Sequence, residues 1–326
     1  MARRLANDGG VKTMQASKVT ESQPVVRSAK EKAPQLDLER IVDENKIRAV
    51  LQKVEDDFKS GKLEEYAKRE RKDVQMWDKW IARSREKSGG EEPEISKHSK
   101  EIVRALGKGV LSEKEVEDIV NELKVIKSPL SLYAHGLVGA FGYGSETDAV
   151  ATTRFTGPHE MGHAIHFFVM KKAVESGNID DPVLHSLNEK LTSMGYSSRE
   201  VVAVLFRYGK ELRVFTETVG EAFTNKTDPS LAYKAFAALN FLHPTYWGAL
   251  ISSWSYTKLM EQNPAQFREL LEHPSITFGT TTFKLARHID EQLKLSKEKM
   301  AGEWYNNFLL PLVHESEHSS ETGLPS

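Results

Sequence analysis

The chain contains no cysteine, which excludes a disulfide framework and leaves histidine and carboxylates as the side chains able to hold a metal ion. It also lacks any run approaching the ~20 apolar residues that a membrane span requires. Charge of one sign is missing too. Forty-five Lys and Arg stand against 47 Asp and Glu, a net charge of −2, so composition gives no electrostatic argument for nucleic acid or an acidic membrane surface. The basic start Met1-Ala2-Arg3-Arg4 is followed by no apolar segment, which argues against a secretory signal. Together with the absence of cysteine, this sets the expectation of a cytoplasmic protein.

What is present suffices for one large domain or two small ones, since 326 residues can bury a substantial core. Residues 1–35 are polar, mixed in charge and without apolar periodicity, and read as a flexible arm. Residues 36–87 read as a charged helical segment. Ile41, Ile47, Val50, Leu51, Val54 and Phe58 recur at spacings of three and four, Gly61 marks a break, and a second helix from about Leu63 to Arg85 carries Tyr66, Val74, Trp77, Trp80 and Ile81. Its Lys and Arg are interspersed with acids and read as a solvated face. Ser88-Gly89-Gly90-Glu91-Glu92-Pro93 is the best boundary.

Beyond it, Ser96–Leu106 and Ser112–Ile126 are predicted helices, the second opened by the capping-box arrangement Ser112-Glu113-Lys114-Glu115. Leu130–Phe141, rich in glycine, is predicted to be extended and to line a cleft, and Thr147–Thr156 to be a connecting loop. An edge strand there would let a peptide add itself by main-chain hydrogen bonds, and a Gly-rich structural turn is the alternative reading of the same stretch. Asn178–Ser197 is a polar, partly helical excursion with His185 exposed. Asp228–Leu239, Pro264–Leu271 and Thr281–Leu312 are further helices. Residues 315–326 read as a polar tail; His314 just before it and His318 within it are spaced like ligands but are discounted for their disordered-looking context.

The chemistry concentrates in Gly157-Pro158-His159-Glu160-Met161-Gly162-His163-Ala164-Ile165-His166. This contains His-Glu-x-x-His on a predicted helix from about His159 to Glu175. Helical positions four apart lie one above the other, so both rings can reach one Zn²⁺. Glu160 leans toward the same site, where it can take a proton from water. Pro158 suits the first turn, and Ala164, Ile165, Phe167, Phe168 and Val169 are expected to bury the helix. Gly162, costly in mid-helix, points to close backbone packing or room for substrate. His166 falls off the His159/His163 face.

A catalytic zinc site takes a third protein ligand and leaves its fourth position to water. Glu217 and Glu221 lie four apart on one face of a helix predicted from about Ser198 to Asn225. Bordered by Val214, Phe215, Val219, Ala222 and Phe223, they are expensive to bury unless a cation accompanies them. Spacing alone leaves open which of the two is the ligand and which the brace. Peptide hydrolysis also needs a donor for the developing oxyanion, a task His or Tyr can fill. His243, Tyr246 and Tyr256 are the candidates, with aromatic core packing as the alternative.

His159-Glu160-x-x-His163 followed by Glu217-x-x-x-Glu221 resembles the gluzincin zinc metallopeptidases, among them thermolysin-like, neprilysin-like and angiotensin-converting-enzyme-like enzymes. Within that group the phrase His-Glu-Met-Gly-His-Ala-Ile-His is most similar to the thimet oligopeptidase and oligoendopeptidase F family, as is Gly139-Ala140-Phe141 upstream. The resemblance implies a mainly α, zincin-like catalytic domain over residues 94–314, with a small β element before the zinc helix. It implies one Zn²⁺ held by His159, His163 and Glu217, with Glu160 as general base. Glu221 would brace a ligating imidazole, and an oxyanion donor would come from His243 or Tyr246, then Tyr256. It covers at most Gly139 to Trp254. Two departures are plain: 54 positions separate His163 from Glu217, well beyond the family's interval, and the family's Pro-Ser after the ligand Glu is replaced by Val219-Gly220.

The expected activity is hydrolysis of peptides or small proteins, without nucleic acid or a membrane span. The alternative is a helical binding or scaffold protein with a structural or vestigial zinc site. The charged N-terminal helices and short catalytic region speak for it.

Overall fold

A computed structural model describes residues 33, 35–87, 89, 94–127, 140–144, 148–152, 157–227 and 245–293. The arm at 1–32, His243, His314, His318, the predicted helix at Asp228–Leu239 and the tail lie outside the described residues. The described part is mainly helical, and none of its helices is long and apolar enough to cross a membrane.

The chain enters without helix. Leu36, Leu38 and Ile41 are buried, and the Gln266 amide bonds both the N–H and the C=O of Leu36 at 2.8 Å. Helical structure therefore begins later than the periodicity from Leu36 suggests, at α1 (Glu44–Lys59), where Asp43 caps the N-terminus through the N–H of Asn45. Gly61, with φ of 77°, makes the turn into α2 (Lys62–Lys87). α3 (Glu94–Gly107) and α4 (Glu113–Glu122) follow, the latter with the full Ser112/Glu115 capping box.

Two predictions fail next, for one reason. The helix expected through Ile126 stops at Glu122, and Lys124–Lys127 is a strand, β1. The stretch expected as a loop contains another strand, β3 (Asp148–Thr152), while β2 (Ala140–Tyr143) falls at the end of the segment predicted to be extended. β3 is central, parallel to β1 and antiparallel to β2, with Val125 and Phe141 both in register with Val150. Strands this short exist through their partners, and β1 and β3 pair across 25 positions, Lys124 with Ala149, so local pattern does not announce them. Trp77 of α2 lies directly against Gly142 of β2, where a Cβ would overlap the indole. α1 and α2 thus join the same core as the elements after residue 94.

α5 (Gly157–Ser176) runs through the middle of the molecule. Almost every side chain from Gly157 to Lys171 is buried, the condition of a helix enclosed on all sides. It packs on α3, on β2 and β3, and on three later helices. Gly177, with φ of 68°, ends it. α6 (Pro182–Ser193) is capped by Asp181 and buries Val183, Leu184, Leu187 and Leu191. His185 on its outer face pairs with Glu189. The helix predicted from Ser198 to Asn225 is two helices, α7 (Ser198–Arg207) and α8 (Lys210–Thr227). Gly209, with φ of 130°, breaks it, and the Tyr208 hydroxyl donates to the buried Asp57 of α1 at 3.0 Å. α9 (Thr245–Gln262) packs along α8, and Thr257 donates to the Ala222 carbonyl at 3.1 Å. α10 (Pro264–Glu272), α11 (Pro274–Gly279) and α12 (Thr282–Gln292) complete the described chain.

Candidate metal centre

His159 and His163 lie one turn apart on α5 and meet α8, the helix most closely packed against it on that side. Their Nε2 atoms are 2.9 Å apart and their rings pack edge to face. From α8, Glu217 brings Oε2 to 3.3 Å from His159 Nε2 and 3.9 Å from His163 Nε2. These three side chains are a group that could hold a metal ion. The fit can be tested on the triangle itself. The circle through three atoms separated by 2.9, 3.3 and 3.9 Å has a radius of about 2.0 Å, close to the ~2.0–2.2 Å bonds that imidazole and carboxylate make to ions of the Zn²⁺ type.

Glu221, one turn further along α8, places Oε1 3.1 Å from His159 Nδ1. The two acids therefore take opposite nitrogens of the same ring. Glu217 stands on the side shared with His163, and Glu221 on the outer side.

The electrostatics follow from burial and from these contacts. Burial opposes charge on His159, yet hydrogen bonds to Glu217 and Glu221 outweigh it and raise its pKa well above that of free histidine. Burial and the neighbouring His159 charge push His163 down to about 3. The two Nε2 atoms thus face each other at hydrogen-bonding distance, and the tautomers of the two rings set which of them donates. Burial works to raise Glu217, but His159, His163 and Arg213 on the preceding turn bring its pKa below the usual value. Burial raises Glu221, and Glu217 adds to this against the pull of His159.

Glu160 is 6% exposed. Burial pushes it up to about 7, with the charge on His159 pulling down, Glu217 and Glu221 pushing up, and the Phe141 backbone N–H of β2 stabilising the carboxylate. That N–H belongs to a strand whose ladder partner is β3 alone among the described strands. Being a main-chain group, it carries no residue-type signal, although the stretch Gly139-Ala140-Phe141 is one the resemblance singles out.

Two glycines shape the crossing of α5 and α8. A Cβ on Gly162 would lie 2.9 Å from Phe223 Cδ2 and 3.2 Å from the Gly220 Cα, so close packing, one of the two expectations for this residue, accounts for it. A Cβ on Gly220 would meet the His159 ring. Gly220 was not among the predicted site residues. The signal was available, because a glycine inside a helical pattern asks for a packing reason.

His166 and Tyr256 are not among these contacts. His166 is buried between Phe206 and Phe215, with ring centroids at 4.8 and 5.5 Å, and burial holds its pKa down near 3. Tyr256 is fully buried, its ring edge-on to Phe215 at 5.6 Å and its hydroxyl without a partner among the described residues. Tyr246 lies in the first turn of α9. Comparisons of the chain with protein-family models, curated proteins and solved structures returned no match.

Proposed function

We propose that the chain is a zinc metallopeptidase of the gluzincin type, with a zincin-like catalytic domain that hydrolyses peptide bonds. The observation that carries this reading is the convergence of His159, His163 and Glu217 from two helices onto a triangle of metal-coordination size. Their spacing in sequence, His-Glu-x-x-His and then Glu-x-x-x-Glu, supports it independently. Three protein donors are the number a catalytic zinc site uses, whereas structural zinc sites close with four. Glu160, Glu217 and Glu221 are also three acids gathered around two imidazoles, and a divalent cation compensates charges that are otherwise costly to bury.

Zn²⁺ held by His159, His163 and Glu217 would supply Lewis acidity, polarising a scissile carbonyl and making water a better nucleophile near neutral pH. Every other role belongs to the chain. Glu221 accepts the Nδ1–H of His159, which leaves the Nε2 lone pair facing inward. Glu160, held near 7, is matched to taking a proton from water as its oxygen attacks the carbonyl carbon. It then hands that proton to the amine as the C–N bond breaks. The Phe141 N–H fixes the orientation of the Glu160 carboxylate, and the β2 edge beside it suits an extended peptide backbone. Among the oxyanion candidates, the packing of Tyr256 against Phe215 suits a core role. His243 and Tyr246 are the donors we retain.

The test combines elemental analysis with cleavage of a quenched fluorescent peptide library. One zinc per chain and chelator-sensitive turnover are expected. Glu160→Gln should keep the zinc and lose roughly a thousandfold in turnover. Undiminished cleavage by zinc-loaded Glu160→Gln protein would overturn the assignment of the base. Zinc without turnover in the unaltered protein would favour the scaffold reading.

A further inference from the structure

We infer that Gly220 is a positioning residue for the metal centre: the His159 ring rests on the bare backbone of α8 at this position, and any side chain there would displace it. The inference rests on the metal-centre reading above. A Cβ on Gly220 would lie 2.8 Å from Cε1, 2.9 Å from Nδ1 and 3.1 Å from Nε2 of His159. The obstructing atoms belong to a rigid ring rather than to the end of a flexible chain. The ring has nowhere to retreat, because Glu221 holds it at Nδ1 while Glu217 and His163 engage Nε2.

Gly220 follows Glu217 by three residues and immediately precedes Glu221. The floor under the imidazole is therefore built into the stretch of helix that presents both acids. Gly162 faces it from α5, where an added Cβ would come within 3.2 Å of the Gly220 Cα, so the two backbones cross with a glycine on each side. The two glycines have different tasks. A Cβ on Gly162 would press on Phe223 and on the α8 backbone, which is a packing conflict. A Cβ on Gly220 would press on a ligand candidate, its three nearest atoms all belonging to the His159 ring. Glycine is a poor helix former compared with alanine, so this position gives up local helix stability in favour of ligand placement. Position 220 lies in Val219-Gly220, where the sequence departs from the Pro-Ser of the family it resembles.

The experiment compares Gly220→Ala in two backgrounds, unaltered and His159→Ala. With the ring in place, Gly220→Ala should weaken Zn²⁺ at least tenfold in a chelator-dye competition, on the order of the loss seen when a ligand's support is removed. It should also change the visible absorption of bound Co²⁺. In the His159→Ala background the same substitution should raise the thermal midpoint of the metal-free protein, because the obstacle is gone and alanine favours the helix. Equal Zn²⁺ affinity and an unchanged Co²⁺ spectrum would overturn the inference, as would an identical change of midpoint in both backgrounds. A single variant that fails to fold beside a double variant that folds supports the ring contact. Failure of both means that the helix crossing itself needs the glycine, which overturns it. Unaltered protein that binds neither ion would sink the metal-centre reading instead, and the comparison of midpoints would still decide the contact between positions 159 and 220.

Discussion

Glu217 and Glu221 share a helical face, yet meet opposite nitrogens of His159, and this gives them different expected phenotypes. Glu217 stands among the three converging donors, 3.3 Å from Nε2, while Glu221 stands 3.1 Å from Nδ1. Glu221→Gln keeps the shape but removes the charge that strengthens the ring as a ligand. It should weaken Zn²⁺ by about 10–100-fold while leaving one site per chain, as read by isothermal titration. Glu217→Gln should abolish tight binding. The reverse order would exchange the ligand and the brace. His159 and His163, and Glu217 and Glu221, are legible in the sequence because the spacing within each pair is about one helical turn. Gly220 is legible only as a mid-helix glycine that asks for a packing reason, and the Phe141 N–H acts through its backbone, so neither is marked as a site group by residue type.

At the scale of elements, α4 and α10 are joined by a side chain that serves both. Glu115 closes the capping box of α4 and also receives Arg268 in two bonds of 2.7 and 2.8 Å, while Arg268 reaches Glu272 as well. The Arg268 hydrogen bonds, partly opposed by burial and aided by Ser112, bring Glu115 down to about 2 from an ordinary 4.5. A carboxyl depressed in the folded state contributes stability that is complete above the unfolded value and is lost as pH falls through the folded one. The contribution should therefore disappear between about pH 4.5 and pH 2. Both partners are partly exposed, so solvent screening reduces it to about 1–2 kcal/mol. Glu115→Gln should flatten that part of the acid unfolding profile measured by circular dichroism. A profile parallel to that of the unaltered protein would show the pair to be idle. The capping box was legible from Ser112-x-x-Glu115, whereas Arg268 lies 153 positions away and only packing brings it there.

Across the whole molecule, the candidate centre ties together α5 and α8, between which the chain makes α6, α7 and the break at Gly209. An ion at that junction binds the folded state and has no counterpart in the unfolded chain. At a thousandfold excess over its dissociation constant it should add about 4 kcal/mol. For a chain of this size that is on the order of 10 °C in the unfolding midpoint. Scanning calorimetry before and after chelation should register the loss, with recovery on readdition of Zn²⁺; equal midpoints would mean that no ion bridges the two helices. The sequence by itself determined the helical character and the chemical residues, because caps, turns of 3.6 residues and the spacings of His159, His163, Glu217 and Glu221 are local properties of the chain. Only the tertiary structure decided that Glu217, 54 positions after His163, returns to the two rings, that Lys124–Lys127 and Asp148–Thr152 pair as strands, and that Gly220 lies under His159. These depend on contacts between segments far apart in sequence, and a local pattern holds no information about which distant partner will supply the missing hydrogen bond, ligand or bare backbone.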